Sequence, residues 1–149
     1  MGPHIEALGT DDIGWVWDLY RVTLHADHAA ATGRTDDELY AAQLSALASG
    51  SVSALLDGGG ARVGYIRVTD DGTDLTIRDI AIRPDQQDHG FGSAAIVLVA
   101  ARAATSGQDL VLRVLHTNPR ARRLYERLGF EVDEERGRST QMRLRVARI

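Results

Sequence analysis

The sequence predicts a mixed α/β fold, of the α+β kind: a mixed, mostly antiparallel sheet of six to seven strands flanked by about four helices. Three observations carry the prediction. Two runs of helical period open the chain, three strand-like runs separated by Asp/Gly turns follow, and two further helical stretches separate the later strands. Strands joined by tight turns pair antiparallel, whereas strands joined across a helix run parallel, which makes the sheet mixed.

The elements follow in order. Thr10, Asp11 and Asp12 supply an N-cap and first-turn acids, and Ile13, Trp15, Val16, Leu19, Tyr20 and Leu24 recur at helical spacing, so a helix is expected over residues 11–24. Residues 25–34 read as a loop or a broken helix ending near Gly33. Thr35 and Glu38 form a capping box for a second helix through Leu39, Ala42, Leu44 and Leu47, closed by Gly50. Residues 52–56, 62–69 and 75–83 are strand-like and separated by Asp-Gly turns, an antiparallel meander. Residues 92–106 carry one charge, Arg102, and predict a helix packed on the sheet with little of it in reach of water, closed by Gly107. A strand is expected over 110–115. A helix over 119–128 follows, with Asn118 as N-cap, Pro119 at its first position and Gly129 just past its end. Strands over 130–134 and 140–146 finish the chain.

Composition narrows the function classes. With 149 residues, 44% apolar and 26% charged, and no Pro/Ser-rich linker or internal repeat, the chain reads as one domain over residues 1–149. A chain of this size buries roughly 68–70% of the surface it exposes unfolded, so it needs no disulfide staple. It has no cysteine, which removes thiol catalysis and thiolate zinc sites and fits a cytoplasmic setting. Seventeen basic residues, all arginine, stand against 21 acidic ones, and the net charge of −4 argues against nucleic acid or an anionic membrane as partner. The opening residues show no signal peptide, and the longest apolar stretch, 94–101, is far short of the roughly 20 residues of a membrane span.

Two segments carry chemistry. The first runs from Ile80, Ala81 and Ile82 through Gln87, Asp88, His89, Gly90, Phe91, Gly92 and Ser93: a strand, a glycine-bearing turn and the start of an apolar helix. Free amides at a helix start, with glycines that let a ligand approach closely, suit a pyrophosphate. Two turn glycines bending the chain into a helix would leave the same G-x-G. It is not a Walker loop, because the chain has no lysine, and no third glycine completes a dinucleotide fingerprint. The second segment runs from Asn118 to Phe130. Its caps and the apolar stripe of Ala121, Leu124 and Leu128 are those of an ordinary helix, but its place one strand after the glycine turn is not explained by capping.

Taken together, the two segments resemble the GNAT superfamily of acyl-coenzyme A-dependent N-acetyltransferases. The superfamily's pyrophosphate signature, Arg/Gln-x-x-Gly-x-Gly/Ala, is matched by Gln87, Gly90 and Gly92, and its Asn-x-x-Ala-x-x-Leu-Tyr-Glu-x-Leu-Gly-Phe run is matched from Asn118 through Phe130. The likeness is strongest over 75–130 and generic before Ser51. It implies a V-shaped splay between the central strands and acetyl-coenzyme A (acetyl-CoA) as cosubstrate. The backbone of Ile80, Ala81 and Ile82 would pair with the pantetheine arm, like an added strand. The amides of Gln87, Asp88, His89, Gly90, Phe91, Gly92 and Ser93 would hold the pyrophosphate, and Asn118 would contact the pantetheine. Tyr125 would act as the acid that protonates the departing thiolate. Arg120 and Arg123 are the better placed of four arginines on that helix to reach phosphate.

The base stays open at this stage. Members often carry a glutamate on the strand before the glycine turn, but the expected parity here holds Thr76 and Arg78, and Asp79 alternates to the opposite face. Asp79, His116, a water relay and an amine that arrives deprotonated all remain candidates. The acceptor side would be lined by residues 25–38, whose Asp36, Asp37 and Glu38 either attract a cationic amine or serve the helix dipole. His25 and His28 lack a third ligand of credible spacing, so no metal is expected. The expected function is transfer of an acetyl group to a primary amine of a small molecule or peptide. A catalytically weak acyl-CoA sensor or interaction module is the alternative that Thr76 and Arg78 keep alive. Members of the superfamily often form homodimers through edge strands, but no residue here singles out an interface.

Overall fold

The computed structural model describes residues 2–145, so Val146, the expected end of the last strand, lies outside the described residues. The seven-stranded sheet has the order β1-β2-β3-β4-β5-β7-β6, formed by β1 (His4–Ala7), β2 (Val52–Leu56), β3 (Arg62–Asp70), β4 (Asp74–Ile82), β5 (Asp109–Leu115), β6 (Glu131–Arg136) and β7 (Ser139–Leu144). Five α-helices lie between them among the described residues: α1 (Ile13–Thr23), α2 (His25–Thr32), α3 (Asp36–Ala48), α4 (Phe91–Ser106) and α5 (Pro119–Arg127). No helix among the described residues is long and apolar enough to cross a membrane. The chain divides into two compact units. One runs to Arg67 and takes up Asp79–Ala95; the other takes Val68–Arg78 and the described residues from Ile96 onward.

In the first unit, α1 buries Val16, Leu19 and Tyr20, the i, i+3, i+4 pattern of one helix face. They join Leu47, Val52, Ala54, Tyr65 and Ala81 in a single apolar cluster. Each fully buried aliphatic side chain contributes about 1.5–3 kcal/mol. The capping box at α3 forms as expected: Glu38 N donates to Thr35 Oγ1 at 3.2 Å, and Thr35 N donates to Glu38 Oε1 at 3.0 Å. The start of α1 differs from expectation. Thr10 does not cap it; residues Thr10–Asp12 form a 3-10 turn, and Asp12 accepts from Gly9 N at 3.0 Å and pairs with Arg62 at 3.0 Å. A carboxylate bridging a turn amide and a strand arginine anchors the helix start more widely than a hydroxyl cap.

Strand β1 escaped the sequence reading. Four residues are too few for a periodic signal, and only antiparallel pairing from His4↔Leu56 to Ala7↔Ser53 makes them a strand. Residues 25–34 form their own helix, α2, broken from α1 at Leu24 and stopped by Gly33 at φ 67°, which raises the helix number above the expected four.

In the second unit, β5 pairs parallel with β4 from Asp74↔Asp109 to Ile77↔Leu112, and both strands continue past that ladder. Asp74 and Asp109 stand directly opposite each other, a repulsive placement for two carboxylates. Arg143 on β7 compensates, reaching Asp74 at 2.9 Å, Asp109 at 3.2 Å and Asp133 at 3.2 Å. Asp133 is the extra residue of a bulge between Val132 and Glu134 on β6, which frees its side chain to turn toward Arg143. Helix α4 buries Ala95, Ile96, Val99 and Ala103, but Val97 is 56% exposed and its last turn is in water. The expectation that water reaches little of α4 is therefore corrected: low charge came from small alanines that need no burial.

Candidate active site

Two groups of residues in the first unit bear on function. At the end of β4 the chain is pinned by short bonds. Arg83 N donates to Val63 O at 2.8 Å, the Arg83 guanidinium reaches Arg62 O at 3.2 Å and Asp85 at 2.7 Å, and the Gln87 side-chain amide donates to Ile82 O at 3.1 Å. Gly64 allows β3 to approach this segment closely, because a side chain there would run into the Ala81 carbonyl oxygen and lie 3.1 Å from Ile82 Cα. Asp88 at φ 64° and Gly90 at φ 82° then turn the chain through left-handed conformations into α4. The first amides of α4, on Phe91, Gly92 and Ser93, have no carbonyl one turn earlier within the helix to accept them. A side chain on Gly90 or Gly92 would meet no heavy atom within 4 Å, so the approach to those amides is open. Donors at the positive end of a sixteen-residue helix, with nothing in front of them, fit a diphosphate.

The second group is polar and packs on the same unit. The Tyr20 hydroxyl lies 2.8 Å from Nδ1 of His28, and Nε2 of His28 lies 3.6 Å from Asp79 Oδ1. Burial, followed by the Asp79 charge, pushes the Tyr20 hydroxyl up to about 12, so it is protonated at neutral pH. Tyr65 is 1% exposed and its hydroxyl has no hydrogen-bond partner. Burial first, then the charge of Asp79 and the neighbouring Tyr20, raise its pKa as well. Asp79 lies on the β4 face opposite Thr76 and Arg78, as its parity required, and that face meets α2. Arg78 instead donates to Thr69 Oγ1 at 2.9 Å. Two of the three acids at the start of α3 have structural duties, Asp36 against His25 Nε2 at 2.7 Å and Glu38 in the capping box. His25 and His28 turn to different carboxylates, and among the described residues no group of three His, Asp or Glu side chains could hold a metal ion.

The remaining candidates belong to the second unit. Asn118 caps α5, accepting from Ala121 N at 3.1 Å, with Pro119 at the first helical position and Gly129 at φ 99° after the end. Tyr125 is half-buried with its ring 6.0 Å from that of buried Phe130, and burial pushes its hydroxyl up. Arg120 and Arg123 are exposed on α5, and Arg122 pairs with Glu126 at 3.7 Å. Nε2 of His116 lies 3.1 Å from both Glu135 Oε2 and Thr140 Oγ1.

A sequence model described as Acetyltransferase (GNAT) family matches residues 15–130. The chain belongs to the GNAT acetyltransferase family. Acetyl transfer from acetyl-CoA is therefore its general chemistry. Solved structures of other GNAT proteins share the fold at low identity. An acetyltransferase from Thermus thermophilus superposes with a TM-score of 0.76 at 19% identity, covering 97% of both chains. The PaiA N-acetyltransferase from Thermoplasma acidophilum, solved in complex with coenzyme A, gives 0.71 at 14% identity, covering 97% of this chain and 99% of that one. A spermidine/spermine N-acetyltransferase from Vibrio cholerae gives 0.70 at 16% identity, covering 95% of this chain and 92% of that one. Comparison with curated proteins returned no match.

For this GNAT chain the sequence had singled out Asp79 but not its surroundings. Tyr20, Tyr65 and the role of His28 came only with the structure. No motif announces them, because separate elements bring them together.

Proposed function

We propose that this GNAT chain is an N-acetyltransferase that moves an acetyl group from acetyl-CoA to a primary amine of a small molecule or peptide, by direct attack in a ternary complex. The observation that carries the reading is the open approach to the first amides of α4 at Gly90 and Gly92. The amides of residues 87–93 hold the diphosphate, and the backbone of Ile80, Ala81 and Ile82 receives the pantetheine arm. Asn118 contacts that arm, and Arg120 and Arg123 serve the phosphates.

Acetyl-CoA supplies the thioester carbonyl. Asp79 takes the proton of the acceptor ammonium. We assign this role to Asp79 and not to His116, because His116 already shares Nε2 between Glu135 and Thr140. Tyr125, kept protonated by burial, delivers a proton to the leaving thiolate. A positioned acid or base of this kind contributes about 10²–10⁴-fold. The acceptor reading uses no metal, nucleic acid or membrane, places the chain in the cytoplasm, and treats residues 1–149 as one domain able to form a homodimer.

One observation favours a second reading. The β4 face with Thr76 and Arg78 carries no carboxylate, and Arg78 is tied to Thr69, which suits an acyl-CoA sensor. A thiol-release assay with a panel of primary amines, run beside a CoA thermal-shift measurement, separates the two. Amine-dependent release of CoA supports the transferase; stabilisation by CoA without release supports the sensor; no stabilisation contradicts both.

A further inference from the structure

The group around Asp79 has one member without an assignment. Among the described residues only two buried side-chain polar atoms lack a hydrogen-bond partner, His4 Nδ1 on the edge strand β1 and the Tyr65 hydroxyl in the interior. A buried hydroxyl left unpaired is costly to the folded state, and such an atom calls for a ligand group. Tyr65 is not placed for packing alone, since its ring already meets Trp15 edge-on at 6.3 Å and its oxygen reaches beyond that contact toward the charge of Asp79.

Exposure is graded through the cluster. The His28 side chain is 35% exposed, Asp79 is 9% exposed, and Tyr65 and Tyr20 are buried. His28 is thus the outermost member, and a small group entering past it meets the carboxylate first and the phenol next. The chemistry of these two acceptors defines that group. A carboxylate and a phenolic oxygen in an apolar wall, beside the ring of Tyr20, favour a cation with N–H donors over a neutral or anionic group.

We propose that the Tyr65 hydroxyl and the Asp79 carboxylate together receive the acceptor's primary ammonium, with His28 as the side chain that covers it and Tyr20 as the anchor of His28. The inference rests on the N-acetyltransferase reading and names within it a specificity-determining residue, Tyr65. One ammonium N–H donates to the Tyr65 oxygen and a second to Asp79. The proton that leaves nitrogen before attack goes to Asp79, which becomes a neutral carboxylic acid, and the nitrogen lone pair that remains attacks the thioester. Tyr65 keeps its own proton throughout.

The test uses the full chain labelled at tyrosine Cζ and titrated with n-butylammonium chloride, with n-butanol as the neutral control of the same length. Tyr65→Phe assigns the resonance and removes only the unpaired oxygen, so the variant is expected to fold with an unchanged or higher Tm. The expected result is a saturable shift of the Tyr65 signal with n-butylammonium and none with n-butanol. Tyr65→Phe should then weaken n-butylammonium binding at least tenfold, followed on the Tyr20 signal. A Tyr65 signal that stays still, or that moves equally with n-butanol, overturns the proposal. Thiol release keeps the two readings apart. Amine-dependent release with an unmoved Tyr65 sinks this subsite alone, whereas ammonium binding at Tyr65 without release from any amine supports the subsite and contradicts the transferase reading.

Discussion

The hydroxyl of Tyr20 on α1 lies 2.8 Å from Nδ1 of His28 on α2, and the far edge of the same ring faces Asp79 of β4 at 3.6 Å. One imidazole therefore links two helices to the strand that leads into the glycine turn. The carboxylate favours a proton on the ring nitrogen nearest to it, Nε2. Nδ1 is then left as an acceptor for the Tyr20 hydroxyl.

Neutral His28 is accordingly expected as the Nε2–H tautomer, read from its ring nitrogen shifts by NMR, and Tyr20→Phe should remove the preference. Finding Nδ1–H in the wild type would contradict this. The same hydroxyl gives a pH dependence. Its pKa is about 12 in the folded chain against 10.0 for an ordinary tyrosine, so the folded state binds the proton more tightly than the unfolded state does. Its contribution to stability is complete below pH 10 and is lost as pH rises from 10 toward 12. Alkaline denaturation followed by urea titration should be less steep over that window in Tyr20→Phe, and an identical slope would count against it.

Gly64→Ala places a methyl group against the Ala81 carbonyl oxygen, a backbone atom that cannot swing aside. The expected cost is about 1–3 kcal/mol in urea unfolding, with weaker CoA binding because the end of β4 positions the turn. An alanine tolerated at full stability would show that the two strands can separate there freely.

The charge cluster of the second unit predicts an acid-dependent effect. Arg143→Met leaves Asp74, Asp109 and Asp133 without their shared cation. The loss should fall near the lower end of about 3–5 kcal/mol, given the 18% exposure of the Arg143 side chain. Bonds from Gln141 and then Arg143 hold Asp133 below its ordinary 3.8. The stability this supplies is present above that value and disappears as pH falls. The difference between wild type and variant should therefore shrink from pH 7 to pH 3, and a difference independent of pH would rule out the ionic account.

Tyr125→Phe tests the acid. It should lower kcat by about 10²-fold while leaving the Kd for CoA nearly unchanged. An unchanged kcat in a chemistry-limited assay would remove the role.

Local chemistry was legible in the sequence wherever neighbours in the chain decide it. The Thr35–Glu38 box, the Asn118 cap with Pro119 behind it, and Gly129 past the end of α5 are all as the residue types dictate. What depends on partners far along the chain was not legible. β1 exists through β2, and the Asp12 anchor through Arg62, fifty residues on. Alternation along β4 correctly set Asp79 apart from Thr76 and Arg78. Which face meets α2 follows from helix packing and not from parity, and so the neighbours of Asp79 were invisible in the chain.

The central claim is that residues 87–93 grip the diphosphate of CoA, and calorimetric titration of CoA into wild type, Gly90→Arg and Gly92→Arg tests it most directly. Gly92 carries no left-handed backbone requirement, so arginine there fills the approach without straining the turn. The account predicts saturable binding to the wild type and none to either variant; CoA binding equally tightly to Gly92→Arg would contradict it.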